Sequence, residues 1–183
     1  MTTTSPSTGQ ARIGILVISD RASRGDYQDL GGPAINRFLE RTILSNWIAI
    51  SKIVPDGIDS VTTALKELAD VEACDLVLTT GGTGPAPRDL TPEATHAVIG
   101  RELPGFGELM RQVSLKQVPT AILSRQTAGT RGRCLIVNLP GRPQAIELCL
   151  SAVFPAVPYC LDLIGARRIE VNPDVCVAFR PVA

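Results

Sequence analysis

Hydrophobic residues in this chain alternate between short continuous runs and a three-and-four spacing, the order expected when strands and helices take turns. From Arg12 to Ser19 the run Ile13-Gly-Ile-Leu-Val-Ile18 is nearly unbroken, as in a strand covered on both faces of a parallel sheet. A polar loop, Ser19 to Gly25, follows, and Gly32-Pro33 opens a helix with Ile35, Phe38, Leu39, Thr42 and Ile43 on one side. The pattern then predicts a strand from Ile48 to Val54, a helix carrying Ile58, Val61, Leu65 and Leu68, and a buried strand from Asp75 to Thr79. Thr91 is placed to cap a helix running from Pro92 to Ile99, with Pro92 at its first position and Glu93 in its first turn. Beyond Pro104-Gly105 a second helix shows Phe106, Leu109, Met110 and Val113 on one face. A short strand is expected at Ala121 to Leu123, a stronger one at Cys134 to Val137, a long helix from Pro143 with Ile146, Cys149, Leu150 and Val153 as its stripe, and an edge strand at Val175 to Phe179. Strand, helix, strand, helix, strand is the rhythm of a doubly wound α/β sheet.

At 183 residues the chain is read as one domain over residues 11–183, preceded by a flexible tail, residues 1–10, that is polar and lacks the basic start and apolar core of a signal peptide. No apolar run approaches membrane-spanning length, and the expected location is the cytoplasm, with no membrane partner. Eighteen basic against eighteen acidic residues argue against a general nucleic-acid binder. Only three of the bases are lysine (Lys52, Lys66, Lys116), so the balance is arginine, the side chain suited to bidentate phosphate contacts. The five cysteines, at positions 74, 134, 149, 160 and 176, are odd in number and form no Cys-x-x-Cys pair, so neither a disulfide framework nor a zinc site is indicated. The lone histidine, His96, excludes a polyhistidine metal site and is read as a surface or satisfied side chain.

The densest chemistry lies between the strand at Asp75 and the helix at Pro92. Gly81, Gly82 and Gly84 permit left-handed backbone angles and let main-chain N–H groups converge on an oxyanion. The same Gly-Gly-Thr-Gly is also a serviceable ligand-free turn. It is no nucleotide-triphosphate P-loop, because Pro85 follows Gly84 and no lysine is near. In an open parallel sheet ligands sit beyond the carboxyl ends of the strands. Four polar clusters fall there: Ser19 to Ser23, Pro55-Asp56, the glycine loop with Asp89, and Asn138 to Gly141. Asp56 and Asp89, one from each of two loops, suit Mg2+, which takes one or two carboxylates with substrate phosphates; each aspartate equally suits a turn cap. With no good nucleophile in the chain, direct transfer between two bound substrates is the favoured chemistry.

Thr79-Thr-Gly-Gly-Thr-Gly-Pro-Ala-Pro-Arg-Asp-Leu-Thr-Pro-Glu-Ala-Thr95 resembles the signature loop of the molybdenum-cofactor biosynthesis domain shared by MogA, MoaB, gephyrin-type proteins and MoeA insertases. MogA-like features flank it: Ile18-Ser-Asp-Arg-Ala-Ser23, Tyr27-Gln-Asp29, Val54-Pro-Asp56, Glu102-Leu-Pro-Gly-Phe-Gly-Glu108, Pro119-Thr-Ala-Ile-Leu-Ser-Arg-Gln126 and Asn138-Leu-Pro-Gly141. The resemblance implies a three-layer α/β/α sandwich around a mostly parallel sheet, assembled as a homotrimer. It implies molybdopterin adenylyltransferase activity: AMP passes from ATP to the terminal phosphate of molybdopterin, with Mg2+ as cofactor, and the product goes on to a MoeA-like insertase. Carried over, Asp56 and Asp89 are catalytic and metal-handling. Gly81, Gly82, Thr83, Gly84, Ser114, Asn138, Pro140 and Gly141 line the molybdopterin pocket, and Ser19, Asp20 and Arg21 serve the nucleotide. Arg142 departs from the pattern, since relatives often carry a smaller or neutral polar residue there. The rival expectations are a MoaB-like carrier that binds molybdopterin without adenylylating it, and a CinA-type nucleotide-processing enzyme, for which the chain is short.

Overall fold

The computed structural model describes residues 9–181; residues 1–8 of the expected tail lie outside the described residues. Six strands form one sheet in the order β2-β1-β3-β6-β5-β4. They are β1 (Ala11–Ile18), β2 (Trp47–Val54), β3 (Leu76–Thr80), β4 (Arg101–Glu102), β5 (Ala128–Arg131) and β6 (Cys134–Leu139). The first four in that order are parallel, and β5 and β4 close one edge antiparallel. The long apolar runs became the inner parallel strands because both their faces are covered. Ile13 and Ile15 of β1 join a core built with helices α2 (Gly31–Thr42), α5 (Pro104–Leu115), α6 (Pro143–Val153) and α7 (Val157–Leu163). Leu16 and Ile18 point the other way, into a core shared with α3 (Ile58–Lys66) and α4 (Thr91–His96). The sandwich therefore has three layers, with Phe38 of α2 packed edge-on against Phe154 at 5.3 Å between ring centroids.

Several expectations are corrected. Ala121 to Leu123 belongs to a 3-10 helix, Pro119–Leu123, with Pro119 in its first turn, and is not a strand. Val175 to Phe179 is no strand either; the C-terminal segment is tied down by an isolated bridge from Val171 to Ile43 and by single backbone bonds such as that from the Phe179 N–H to the Pro155 carbonyl. Helix α4 ends at His96, short of Ile99, and its cap residue is Leu90, which leaves Thr91 inside the first turn. Leu109 of α5 is exposed, unlike its neighbour Met110. Strands β4 and β5 were not anticipated. Ala-Gly-Thr-Arg has no apolar alternation to advertise it, and β5 is held through the two-residue turn Gly132-Arg133, where Gly132 takes a φ of +55°. The 21-residue helical stretch Pro143–Leu163, with a mean hydropathy of 1.5 over its most apolar 18-residue window, is long and apolar enough to span a membrane by composition, contrary to the sequence reading. Its Ile146, Leu150, Val153, Phe154, Val157 and Leu161 are fully or almost fully buried against the sheet, so its apolarity is accounted for by the core.

One buried carboxylate fastens the amino-terminal ends of the strands. Asp75, 5% exposed, accepts hydrogen bonds from the backbone N–H of Arg12 (2.9 Å), from the backbone N–H of Arg167 (2.8 Å) and from the Arg167 guanidinium (3.0 Å). Removing it would orphan two main-chain donors and a cation. Asp75→Ala is expected to lower unfolding free energy by about 2–4 kcal/mol, the penalty for stranding buried donors; a urea midpoint equal to wild type would contradict this.

Candidate functional site

All four parallel strands end at one edge, and the loops that leave them converge there. Gly81 continues β3 and crosses the end of β1 so closely that an added Cβ would lie 2.2 Å from the Ile18 carbonyl oxygen; its φ of +104° is closed to L side chains as well. Gly82, at φ +63°, has room for no Cβ beside Thr91 Oγ1, 2.4 Å from the position it would take. Thr91 explains why it is not the helix cap: its hydroxyl donates to the Gly81 carbonyl (2.9 Å) and its N–H to the Gly82 carbonyl (3.1 Å). Thr80 ties the neighbouring loop down by donating to the Pro140 carbonyl at 2.8 Å.

The glycine loop is held from behind by Arg125. Its Nε donates to the Gly84 carbonyl (2.9 Å), its Nη2 to the Asp89 carbonyl, its Nη1 to Glu93, and its backbone N–H to the Thr83 carbonyl (2.8 Å). This role was hidden in the sequence, where Arg125 stood only as one letter of a motif more than thirty residues away. A planar fork of donors is what three separate acceptors require. With the loop's carbonyls engaged by arginine, the N–H groups of Gly82, Thr83 and Gly84 make no hydrogen bond among the described residues.

Two cavities meet at this edge. The larger, about 510 Å3, is lined by Thr83, Gly84, Ser114, Gln126, Pro140 and Gly141 among others, with Arg142 at its wall. The smaller, about 170 Å3, is lined by Ser19, Tyr27, Asp29, Gly31, Gly81 and Gly141. Gly141 belongs to both, and a Cβ built on it would come within 3.9 Å of the Gly81 Cα. Beneath the larger cavity Gln126, 3% exposed, donates to Met110 Sδ (3.5 Å) and Cys149 Sγ (3.6 Å) and accepts from Ser124 (2.7 Å). The Ser114 hydroxyl lies 3.6 Å from the same Cys149 sulfur. Asn138, expected on the pocket wall, lines neither cavity. It is fully buried, donates to Thr79 Oγ1 (3.1 Å) and Thr95 Oγ1 (2.9 Å), and its Oδ1 finds no partner among the described residues. The alternation of β6 turns it under α4, so it braces the loop from below.

The carboxylates gather around the glycines. Asp56 and Asp20 hold each other: the Asp20 N–H donates to Asp56 Oδ2 (2.9 Å) and the Asp56 N–H to Asp20 Oδ1 (3.2 Å). Asp56 Oδ1 is the oxygen turned to Gly82, 3.6 Å from where a Cβ would be. Asp89 Oδ2 lies 2.7 Å from the corresponding point on Gly84 and accepts the Ala86 N–H (3.1 Å), so this aspartate does cap its turn. Ser19 likewise caps the short helix α1 (Asp20–Ser23), accepting the Ala22 N–H at 3.2 Å, while its own N–H pins the end of β2 through Val54. Arg21 is not drawn into either cavity; its guanidinium stacks over Tyr27 at 5.0 Å. Asp29, unassigned from sequence, caps α2 by accepting the Gly31 N–H (2.8 Å) and the Gly32 N–H (3.0 Å).

A divalent cation fits these donors. They are hard carboxylate oxygens, and among the described residues no cluster of three or more His, Cys, Asp or Glu closes on one point, so Asp56 and Asp89 would leave most of the shell to phosphate and water, as Mg2+ prefers. Burial disfavours the thiolate form of the cysteines, and none of them lines either cavity. Burial pushes the Cys74 thiol up to about 12 and the Cys160 thiol to about 11, and raises Cys134 and Cys149 as well. His96 is engaged at 3.0 Å with Glu102 and lines neither cavity.

Such an edge, with a glycine cradle, paired acids and adjoining cavities, defines a phosphate-handling α/β protein. Residues 14–159 match the family described as "Probable molybdopterin binding domain", and the chain belongs to that family. It is 56% identical over 169 residues to a protein of Helicobacter pylori named molybdopterin adenylyltransferase, covering 92% of this chain and 96% of that one. A protein of the same name from Escherichia coli K12 is 48% identical over 182 residues, covering 93% of each. Among solved structures, MoaB from Thermus thermophilus superposes with a TM-score of 0.78 at 46% identity, over 85% of this chain and 97% of that one. CinA of Thermoplasma acidophilum, at 19% identity and a TM-score of 0.60, shares the fold.

Gly81→Ala is expected to displace the loop, cutting affinity for the ligands of both cavities together and lowering stability by about 1–3 kcal/mol; loss of one affinity alone would mean that the two cavities do not both depend on Gly81. The Arg125 clamp also sets a pH dependence. The hydrogen bond from Arg125 is the main reason the Glu93 carboxyl lies below the usual glutamate range. A depressed folded pKa means its stabilisation is complete above the ordinary 4.5 and is lost as pH falls through the lower folded value. Because the Glu93 side chain is 40% exposed, the effect is expected to be about 1 kcal/mol or less. Amide protection over residues 81–90, taken relative to the intrinsic exchange rate at each pH, should fall on acidification in the wild-type chain, and should be already low and less acid-sensitive in Glu93→Gln.

Proposed function

We propose that this chain is a molybdopterin adenylyltransferase, joining the terminal phosphate of molybdopterin to AMP from ATP in molybdenum cofactor biosynthesis. The observation that carries the reading is the meeting of the two cavities at Gly141 and Gly81, with the glycine loop between them. A pterin fits the larger, and the nucleotide enters beside Ser19 and Asp29. The names borne by full-length relatives at about half identity support the same assignment.

The chemistry asks little of side chains as bases. The molybdopterin phosphate is itself the nucleophile: one of its oxygens forms a bond to the α-phosphorus of ATP as the bond from that phosphorus to the bridging oxygen breaks, and pyrophosphate departs. The chain must place two anions in line and offset their repulsion. Loop amides of Gly82 to Gly84, two of the three residues lacking a Cβ, face the phosphates. Thr83 and Ser114 offer hydroxyl donors from the wall of the larger cavity. Mg2+, when bound by Asp56 and Asp89, supplies positive charge at the phosphates. Both aspartates are present, which favours a catalyst over a MoaB-like carrier. The assembly proposed is a homotrimer in the cytoplasm, delivering product to a MoeA-like insertase. Exposed Leu109, Leu163 and Phe179 give it apolar surface to cover, and the first and last of these line a third, apolar cavity of about 570 Å3.

Purified protein given molybdopterin, ATP and Mg2+ should yield adenylylated molybdopterin by mass spectrometry, together with pyrophosphate, and chelating the metal should abolish both. Tight molybdopterin binding without product would establish the carrier instead. Asp89→Asn should keep molybdopterin affinity and lose adenylylation by about a hundredfold or more, the scale for removing a charge that acts at the transition state; near-wild-type turnover would remove Asp89 from the chemistry.

A further inference from the structure

The crossed bonds between Asp20 and Asp56 place two carboxylates side by side at the nucleotide edge, yet neither role assigned to them explains what holds their charge together. The cation that does so belongs to the chain. Arg88 Nη2 lies 2.6 Å from Asp20 Oδ2, the oxygen left over after Oδ1 has accepted the Asp56 N–H. The two partners are unequal: the Asp20 side chain is 17% exposed, and that of Arg88 is 70% exposed. Asp20 follows Ser19, a wall of the smaller cavity, and Arg88 precedes Asp89 in the loop that leaves Gly84. The guanidinium therefore spans from the glycine loop to the β1 loop across the acidic pair.

We propose that Arg88 is an exchangeable guanidinium: it neutralises Asp20 in the nucleotide-free chain and transfers to the phosphates of ATP when the nucleotide arrives with its divalent cation. This rests on the adenylyltransferase reading and deepens it by adding a phosphate-positioning residue. A divalent cation held by Asp56 and Asp89 would sit beside Asp20, which is bonded to Asp56, and would repel the guanidinium 2.6 Å from Asp20, so the arrival of one favours the departure of the other. An exposed ion pair is weak and easily broken. A planar fork of donors binds phosphate in bidentate fashion and more strongly, so the exchange runs toward the nucleotide. No bond is made or broken in it; one acceptor replaces another. Arg125 is unsuited to this task because its donors already serve three acceptors behind the loop.

The signature is a pair of opposite effects. Without nucleotide Arg88 competes with the metal, and with nucleotide it adds to binding. In Arg88→Ala, bare Mn2+ affinity, followed by the paramagnetic resonance of the free ion, should tighten by about twofold to fivefold, the worth of an exposed ion pair. ATP affinity in the presence of Mn2+, by equilibrium dialysis, should weaken by about tenfold or more, the worth of a charge-assisted phosphate contact. Arg88→Lys keeps the charge without the fork, so Mn2+ affinity should stay near wild type while ATP still weakens; this variant decides the matter if Arg88→Ala does not fold. Both affinities falling together would mean that Arg88 merely holds the loop, and neither moving would mean that it touches no ligand; each overturns the exchange. Molybdopterin is absent from the experiment. A wild-type chain that binds no ATP would defeat the adenylyltransferase reading itself and the exchange with it, whereas ATP binding indifferent to position 88 defeats the exchange alone.

Discussion

The approach of Gly81 to the Ile18 carbonyl is the constraint on which the site depends. Two parallel strands end side by side, and the chain leaving β3 passes over the end of β1 with no room for a side chain. That crossing sets the separation between the β1 loop, with Ser19 and Asp20, and the glycine loop, with Asp89. Once it is set, Asp20 and Asp56 can exchange hydrogen bonds across loops that follow different strands, and Gly141 can close on Gly81 from the other side. A Cβ at this one position would push apart every pair of groups the chemistry needs close together.

Three arginines near the edge divide the electrostatic work. Arg125 is spent inward on carbonyls and Glu93, fixing the loop's shape. Arg88 faces outward onto Asp20. Arg142, at the wall of the larger cavity, makes no ion pair among the described residues, which leaves its charge available there. A chain of zero net charge can thus serve two polyanionic substrates, because the charge that matters is local and oriented: backbone amides on a rigid loop, and guanidinium groups with few competing partners.

The parallel strands and the helices between them were legible because their information is local. A run such as Ile13 to Ile18 has only one economical environment, a strand covered on both faces. The glycine loop and its acids were legible as a candidate for the same reason, since glycine spacing beside a buried strand limits what a backbone can do. What escaped reading was nonlocal. Strand β5 forms because β6 offers it an edge, not because Ala-Gly-Thr-Arg prefers extension. Thr91 gives its hydroxyl to Gly81, ten positions back, and so is not the cap its type and place announced. Asn138 has the chemistry of a ligand-reading side chain, but the pleat of β6 directs it into the protein.

The burial of Asn138 also bears on why the loop is firm enough to position phosphate. Its amide donates to Thr79 and Thr95, one on the strand before the glycine loop and one on the helix after it, so a single planar group spans the two ends of the seventeen-residue segment. Arg125 joins the same segment at its middle, through Thr83, Gly84 and Asp89, and at Glu93. A loop bound at its ends from below and at its centre from behind loses little further entropy when a ligand orders it. Its glycines supply the unusual backbone angles, and these two side chains supply the rigidity that glycine alone would forfeit. The apparent contradiction of a flexible residue type at a site that must be rigid is resolved by where most of the side-chain donors lie: Asn138 and Arg125 hold the loop from outside it, and Thr91 adds one bond from within.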